Sequence, residues 1–340
     1  MTNSLATVIV TQRERFGMTE ESLNSLYENT QGADIIYVDG RSPKRIASYL
    51  RGEADAGRIT LLRHERFLTP NQARNIGVAA AKTRYVAFVD NDVVFTPGWL
   101  DKLIACAEEE GADIIAPLTC QGLPFHSEIH HAGGDYAVGG DISGFFEADE
   151  SRAFDEVMHG HGVKVADYDG PMERMETGTP EFHCVMARRD VFDRLGPLDE
   201  ALMSTKEHID FAMTVRRAGG KVMFEPSSVV TYVFPCRARP LNFEDLPFFQ
   251  LRWSDAYGRR SLEHFIRKWD LKPRADYVAS KRGVYATRRM QGILIPLLRK
   301  VPGLTTRDAL IKRIARSALV LERIVSETRI ALMEMRGRNA

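Results

Sequence analysis

Residues 84–95 read Arg-Tyr-Val-Ala-Phe-Val-Asp-Asn-Asp-Val-Val-Phe. An apolar run of this length fits a strand buried on both faces, and this one ends on two carboxylates one residue apart. Asp90 and Asp92 repel each other unless something positive stands between them. A divalent cation carrying a phosphate is the natural candidate, because hard cations take oxygen ligands and leave positions open for substrate phosphates. Turns are full of Asp, so the spacing alone says little. The position says more: the pair follows directly on a strand, and earlier strand–helix units precede it.

Those units set the fold class. Ala6–Thr11 reads as a β-branched strand, and Thr19–Asn29 as a helix that Thr19 can cap, with Leu23, Leu26 and Tyr27 at helical spacing. Asp34–Asp39 is a second strand followed by a Gly-Arg-Ser-Pro turn, Pro43–Gly52 a helix, and Arg58–Arg63 a third strand. Pro70–Ala81 is an Ala-rich helix leading into the strand Tyr85–Val89. Strands alternating with helices predict an α/β fold on a mainly parallel sheet, whose ligands bind at the carboxyl ends of the strands. Thr11, Asp39 and Asp90–Asp92 all fall at that edge.

Further along, Pro97–Glu110 reads as a helix and Asp113–Pro117 as a strand. Residues 119–180 are rich in Gly, His and Asp with little periodicity, which predicts an insertion of loops and short strands; long loops in compact domains usually carry function. Phe182–Ala187 returns to strand character, Asp190–Leu195 is a short helix, and Glu207–Ala218 is an amphipathic helix stopped by Gly219-Gly220. Lys221–Glu225 and Val229–Val233 read as two final strands. After Pro240 aromatics and Arg dominate through Trp269, and one long helix is expected from Thr306 to about Met335, with Leu310, Ile314, Leu321, Ile324 and Met335 near a 3.5-residue repeat. The chain thus divides into a domain over residues 1–239 and a basic, mainly helical extension over 240–340.

The charge divides the same way. The net charge is zero, yet from Leu251 onward there are 21 Lys and Arg against 8 Asp and Glu, a net of +13 balanced by −13 in the first 250 residues. An acidic body with a basic tail points to an anionic partner for the tail, or to basic helices packed on the body. Cys106, Cys120, Cys184 and Cys236 show no CxxC spacing, which fits a reducing compartment and argues against structural zinc. The N-terminus has no signal pattern and no apolar run reaches spanning length, so a cytoplasmic protein is expected.

Five segments, in order, resemble the GT-A glycosyltransferases, specifically the large inverting family 2. They are VIVTQRER, IIYVDGRS, NQARNIGVAAAKTRYVAFVDND, MARRDVFDRLGPLDEAL and KEHIDFAMTVRRAGGKVMFEPSSVV. The resemblance covers roughly residues 5–235. It implies a Rossmann-like sheet flanked by helices, a nucleotide-diphosphate-sugar donor (UDP-, GDP- or dTDP-linked), Mn²⁺ or Mg²⁺ on the diphosphate, and transfer to an acceptor hydroxyl with inversion. The acceptor class it implies is a glycan or lipid-linked molecule of bacterial polysaccharide or glycoconjugate synthesis; no nucleic-acid partner is expected.

Residue by residue, the resemblance makes Asp39 a contact to the nucleobase and Thr11 a contact to the nucleotide. Arg74 would reach the nucleotide or its phosphate. Asp90, Asn91 and Asp92 would bind ribose and metal, with Asp92 the principal metal ligand and Asp90 beside it. The sequence also departs from the pattern. Asp39-Gly40-Arg41-Ser42 lacks the family's second acid and gains an arginine. His208 stands where the family usually places its catalytic base, so Glu207, His208 and Asp210 are all candidate general bases. Thr231-Tyr232 occupies the place of a histidine that often ligates the metal, so that ligand is absent or supplied from elsewhere.

His126, His130, His131, His159, His161 and His183 offer one such supply; a zinc site or plain structural histidines are the other readings. The aromatic and basic segment after Phe248, with Gly292–Leu298, fits either a membrane-interface contact or helices packed on the domain, and the last helix could pair with a second copy. Two further functions stay open: a sugar-nucleotide-binding or scaffold protein without turnover, and a nucleotidyltransferase, which needs a Gly-rich loop where residues 11–17 supply Arg and a single Gly.

Overall fold

A computed structural model of the protein describes residues 4–139, 154–233, 241–273, 275–304 and 307–337. Its first half alternates as the sequence predicts: β1 (Ala6–Thr11), α1 (Thr19–Asn29), β2 (Asp34–Gly40), α2 (Lys44–Asp55), β3 (Thr60–His64), α3 (Pro70–Ala80) and β4 (Tyr85–Asp90). Strand β1 lies between β2 and β4, and β3 flanks β2, all parallel. Every residue of β1 and β4 is buried, as expected of central strands covered by helices on both faces. Helix α3 approaches β1 closely at Gly77, where a Cβ would sit 2.3 Å from Ile9 Cγ2. Only glycine allows that approach.

The second half completes one mixed sheet. After β5 (Val93–Phe95) and α4 (Trp99–Glu110) come β6 (Ile114–Gln121), β7 (Glu128–His131), β8 (Gly134–Val138), β9 (Phe154–Met158), β10 (Met175–Glu176) and β11 (Cys184–Arg188). Strand β11 inserts antiparallel between β4 and β6. Helices α5 (Asp190–Leu195) and α6 (Glu207–Arg217) lead to β12 (Val222–Tyr232), parallel to β6. The main order is β10-β12-β6-β11-β4-β1-β2-β3, with β5 on β12, β7 on β6, and β8–β9 as a separate hairpin. The expected insertion therefore consists of short strands and loops, with 140–153 outside the described residues.

Three local expectations are corrected. Thr19 is not the cap of α1: Met18 holds that position, while the Thr19 hydroxyl pairs with Tyr37 Oη at 3.2 Å and accepts from Asn91 Nδ2 at 3.1 Å. The two final strands are one, bent by a register shift between Glu225 and Val229. The third concerns the last helix, described below. The boundary at 239/240 and Cys236 lie outside the described residues; Cys106, Cys120 and Cys184 are buried free thiols.

The extension folds back onto the domain as α7 (Leu246–Arg252), α8 (Asp255–Lys268), α9 (Ala275–Arg289), a π-helical turn (Met290–Leu294), α10 (Ile295–Arg299) and α11 (Asp308–Gly337). Phe248 packs at ring-centre distances of 5.6 Å from Phe16 and 5.4 Å from Phe67, and Asp245 accepts the Phe16 N–H at 2.8 Å. Phe265 and Leu262 are buried, so the apolar side of α8 faces the protein. In α11 the buried positions are Ile311, Ala315 and Ile330, whereas Leu321 and Ile324 of the expected seam are 66% and 58% exposed. Packing on the domain thus uses another face than the one the 3.5-residue repeat marks, which stays outward. Arg289 on α9 binds Glu322 and draws the polar Glu322–Ser326 side of the helix inward. No helix among the described residues is long and apolar enough to cross a membrane.

Candidate active site

The carboxyl ends of β1 and β4 stand in register, with Thr11 opposite Asp90. The chain leaves β1 through Gln12-Arg13-Glu14-Arg15, and Asn91 fastens this loop. Asn91 Oδ1 accepts the Arg13 N–H at 3.0 Å, its Nδ2 donates to the Arg15 carbonyl at 2.8 Å, and its own N–H donates to the Thr11 carbonyl at 2.9 Å. The middle residue of Asp-Asn-Asp therefore holds the loop, while the acids on either side face the site.

Asp90 and Asp92 are both fully enclosed. Asp90 Oδ2 lies 3.0 Å from His183 Nδ1 and 3.3 Å from the Arg13 guanidinium, and its Oδ1 is 3.6 Å from Arg74. Arg15 Nε stands 3.9 Å from Asp92. Both oxygens of Asp92, Oδ2 of Asp90 and both ring nitrogens of His183 are buried without a hydrogen bond. Burial pushes the Asp92 carboxyl up to about 8, Arg15 opposing and Asp90 and Glu14 adding to it. Asp90 is raised as well, burial outweighing Arg13 and Arg74. Buried carboxylate oxygens left without hydrogen bonds are costly, and a cation joining them would offset that cost beyond what the neighbouring arginines supply. Ligand atoms of Asp90, Asp92 and His183 all lie within 4.8 Å of one another, and two oxygens with one imidazole suit Mn²⁺ and its neighbours.

His183 answers the question left by Thr231-Tyr232. Tyr232 stacks on the His183 ring at 3.8 Å between centres and 20° between planes. The residues that could hold a metal thus include a histidine immediately before β11, with the end of β12 backing it. Thr231 is engaged elsewhere, pairing with His126 Nδ1 at 2.7 Å. Of the other histidines, His130 stands 5.0 Å from His183 by ring centres, His161 Nδ1 pairs with the His130 carbonyl at 2.9 Å, and His131 reaches the Thr179 hydroxyl at 3.3 Å.

The two remaining donor-side residues differ in availability. Arg74, on α3, is buried over the Phe182 ring at 4.0 Å and faces Asp90; burial lowers its pKa to about 10. Asp39 is buried and its carboxylate is engaged: it accepts from Gln12 Nε2 at 2.7 Å, from the Ser42 N–H and hydroxyl at 2.9 Å each, and from Arg63. A nucleobase N–H has to displace one of these donors. Arg41, the residue gained after Gly40, sits at φ 66° with its guanidinium 5.4 Å from the Phe67 ring centre.

On the opposite side a cavity of about 190 Å³ is lined by Glu207, His208, Glu181, Arg13 and His130. Lys206, in the left-handed region at φ 72°, turns the chain into α6 so that Glu207 and His208 open onto it. Glu207 Oε1 lies 3.4 Å from Arg252, and His208 is half-buried. Burial pushes the Glu181 carboxyl up, but His208, His183, His130 and Arg13 outweigh it and hold it well below the usual range. Asp210 is not among the lining residues: its carboxylate accepts Trp269 Nε1 at 2.7 Å and Lys268 Nζ at 2.8 Å, so the geometry removes it from the candidate bases.

Sequence reasoning missed Arg13, Arg15, Glu181 and Tyr232, and with them the share of the extension in this site. Arg252, Lys281, Tyr285 and Arg288 line the same cavity. Arg13, Glu14 and Arg15 carried a readable signal, since charges directly after a buried strand raise the same question as Asp90 and Asp92. Arg252 and Arg288 carried none, because nothing local in a basic helix shows which Arg turns inward.

Comparison with known proteins bears on the family and the fold. Residues 7–132 match the sequence model of Glycosyl transferase family 2. The pre-mycofactocin glycosyltransferase of Mycobacterium tuberculosis is 24% identical over 213 residues, 62% of this chain and 39% of that protein. The uncharacterized protein y4gI of Sinorhizobium fredii is 24% identical over 285 residues, 80% of this chain and 28% of that protein. The chain thus spans well under half the length of these curated relatives. Among solved structures, the mannosyltransferase PcManGT from Pyrobaculum calidifontis, in complex with GDP-Man and Mn²⁺, superposes with a TM-score of 0.50 at 14% identity, covering 97% of this chain and 84% of that one. GalNAc-T7 with UDP, GalNAc and Mn²⁺ superposes with a TM-score of 0.50 at 17% identity, covering 79% and 55%. These likenesses carry the GT-A fold.

Proposed function

We propose that this member of the family 2 glycosyltransferases moves a sugar from a nucleotide-diphosphate donor to an acceptor hydroxyl, with inversion and with the help of a divalent cation. The observation that carries the reading is the set of unbonded buried ligand atoms on Asp90, Asp92 and His183, ringed by Arg13, Arg15 and Arg74. Mn²⁺ or Mg²⁺ held there would act as a Lewis acid on the departing diphosphate. Arg13 and Arg74 add fixed positive charge on the same side, where negative charge develops during transfer.

The acceptor enters from the Glu207–His208 side. Its hydroxyl proton needs a base within hydrogen-bond reach, and both residues line the cavity. His208 is favoured: it is half-buried and faces Glu181, whereas Glu207 is held by Arg252. Glu181, which lines the same cavity and feels the charge of His208, would stabilise the imidazolium that forms. The acceptor belongs to bacterial polysaccharide or glycoconjugate synthesis.

Thermal shift with UDP-, GDP- and dTDP-sugars in Mn²⁺ tests the donor half. Stabilisation that needs both nucleotide and metal, and that Asp92→Ala removes, is the expected result; no response to any nucleotide sinks the reading. Stabilisation without hydrolysis or transfer would favour a binding protein over an enzyme.

A further inference from the structure

A second, larger cavity lies in the C-terminal extension. It measures about 470 Å³, within the range of small-molecule sites, and is walled by α8, α9 and α11. Leu262, Leu319 and Val320 supply an apolar side. Arg259, Lys281, Arg289 and Arg323 supply cations; Asp255, the one acid among the described lining residues, is bound to Arg289 at 2.9 Å and to Arg323 at 2.6 Å, Arg289 also binds Glu322 at 2.8 Å, and Lys281 pairs with Glu156. At Gly258 a Cβ would stand 2.5 Å from the Tyr285 ring, so only glycine lets α8 meet α9 there.

Three residues, Thr205, Lys281 and Tyr285, belong both to this cavity and to the acceptor-side cavity. The two spaces share a wall, and Thr205 immediately precedes Lys206-Glu207-His208. Val320, one of the lining residues from α11, is 67% exposed, so the apolar side of the cavity continues to the surface there. An apolar side open at Val320, a set of arginines, and a wall shared with the Glu207–His208 cavity belong to one space.

We propose that this cavity holds the chain end of an amphiphilic acceptor in which a phosphate joins an alkyl or polyprenyl chain to a sugar, the sugar hydroxyl being presented to His208. The apolar chain takes the Leu262–Leu319–Val320 side, and the phosphate takes the arginines. Arg259, exposed and in no ion pair among the described residues, is the cation most available to it. The assignment rests on the reading of the Glu207–His208 side as the acceptor side.

Calorimetric titration of the full chain with dodecyl phosphate below its micellar concentration tests it, with inorganic phosphate and dodecyl maltoside as controls. Dodecyl phosphate is expected to bind at least about tenfold more tightly than either control. Ala286→Trp, which fills the chamber, and Arg259→Glu, a surface change that leaves the fold intact, should each weaken it about tenfold. Mn²⁺-dependent nucleotide binding should stay unchanged in Arg259→Glu. Equal binding of dodecyl maltoside, or wild-type affinity in both variants, overturns the proposal. Loss of nucleotide response in the wild-type chain would sink the glycosyltransferase reading and leave this measurement standing.

Discussion

The His183 imidazole reaches Asp90 across two neighbouring strands: its Nδ1 lies 3.0 Å from Asp90 Oδ2, and the two residues are joined by the backbone bond from Asp90 N–H to the His183 carbonyl at 3.0 Å. A strand pair thus fixes the histidine beside the acidic pair, with Tyr232 stacked behind it.

If His183 is a metal ligand, His183→Ala should weaken Mn²⁺ binding by at least about tenfold. Moving the histidine to the end of β12, in His183→Ala with Tyr232→His, should restore part of that loss. Calorimetry with Mn²⁺ alone reads both; unchanged affinity in the single variant removes His183 from the site.

Above about pH 8, where its carboxyl ionises, Asp92→Asn should raise the melting temperature of the metal-free protein by a few degrees, because it removes a buried charge that Arg15, 3.9 Å away, offsets only in part. The same variant should lose Mn²⁺-dependent stabilisation. A lower melting temperature without metal would mean that Arg15 already compensates Asp92.

Base candidates separate by readout. His208→Ala should lower kcat by about 10²–10⁴ with little change in melting temperature. Asp210→Asn should act on stability through its bonds to Trp269 and Lys268 and leave the pH profile of turnover unchanged.

Glu156, on β9, pairs with Lys206 at the start of α6 and with Lys281 on α9. Burial pushes its carboxyl up, but Lys206 and Lys281 outweigh it and bring it to about 2. A depressed acid contributes stability above its unfolded value and loses it as pH falls through the folded one. Between about pH 4.5 and 2 the protein should therefore lose up to about 3 kcal/mol from this group. Glu156→Gln should flatten that part of the acid limb in denaturant titrations at pH 7 and 3.

On α11, Ile330→Ala should cost about 2–4 kcal/mol, and Leu321→Ala or Ile324→Ala less than about 0.5. Urea midpoints of the three variants decide which face packs, and equal losses would contradict the observed orientation.

Much of the donor side was legible in the chain itself. The continuous apolar runs of β1 and β4 require central strands, strand–helix alternation requires a parallel core, and Asp90 and Asp92 at a strand end require a positive partner. These are local consequences of periodicity and charge. Tertiary structure decided the rest, because it depends on which distant segments meet. It brought His183, just before β11, to Asp90, engaged Asp39 with Gln12, Ser42 and Arg63, turned Asp210 toward Trp269, and carried Arg252 and Arg288 from the extension into the cavity beside Glu207 and His208. No spacing in the sequence encodes those meetings; strand order and helix orientation do.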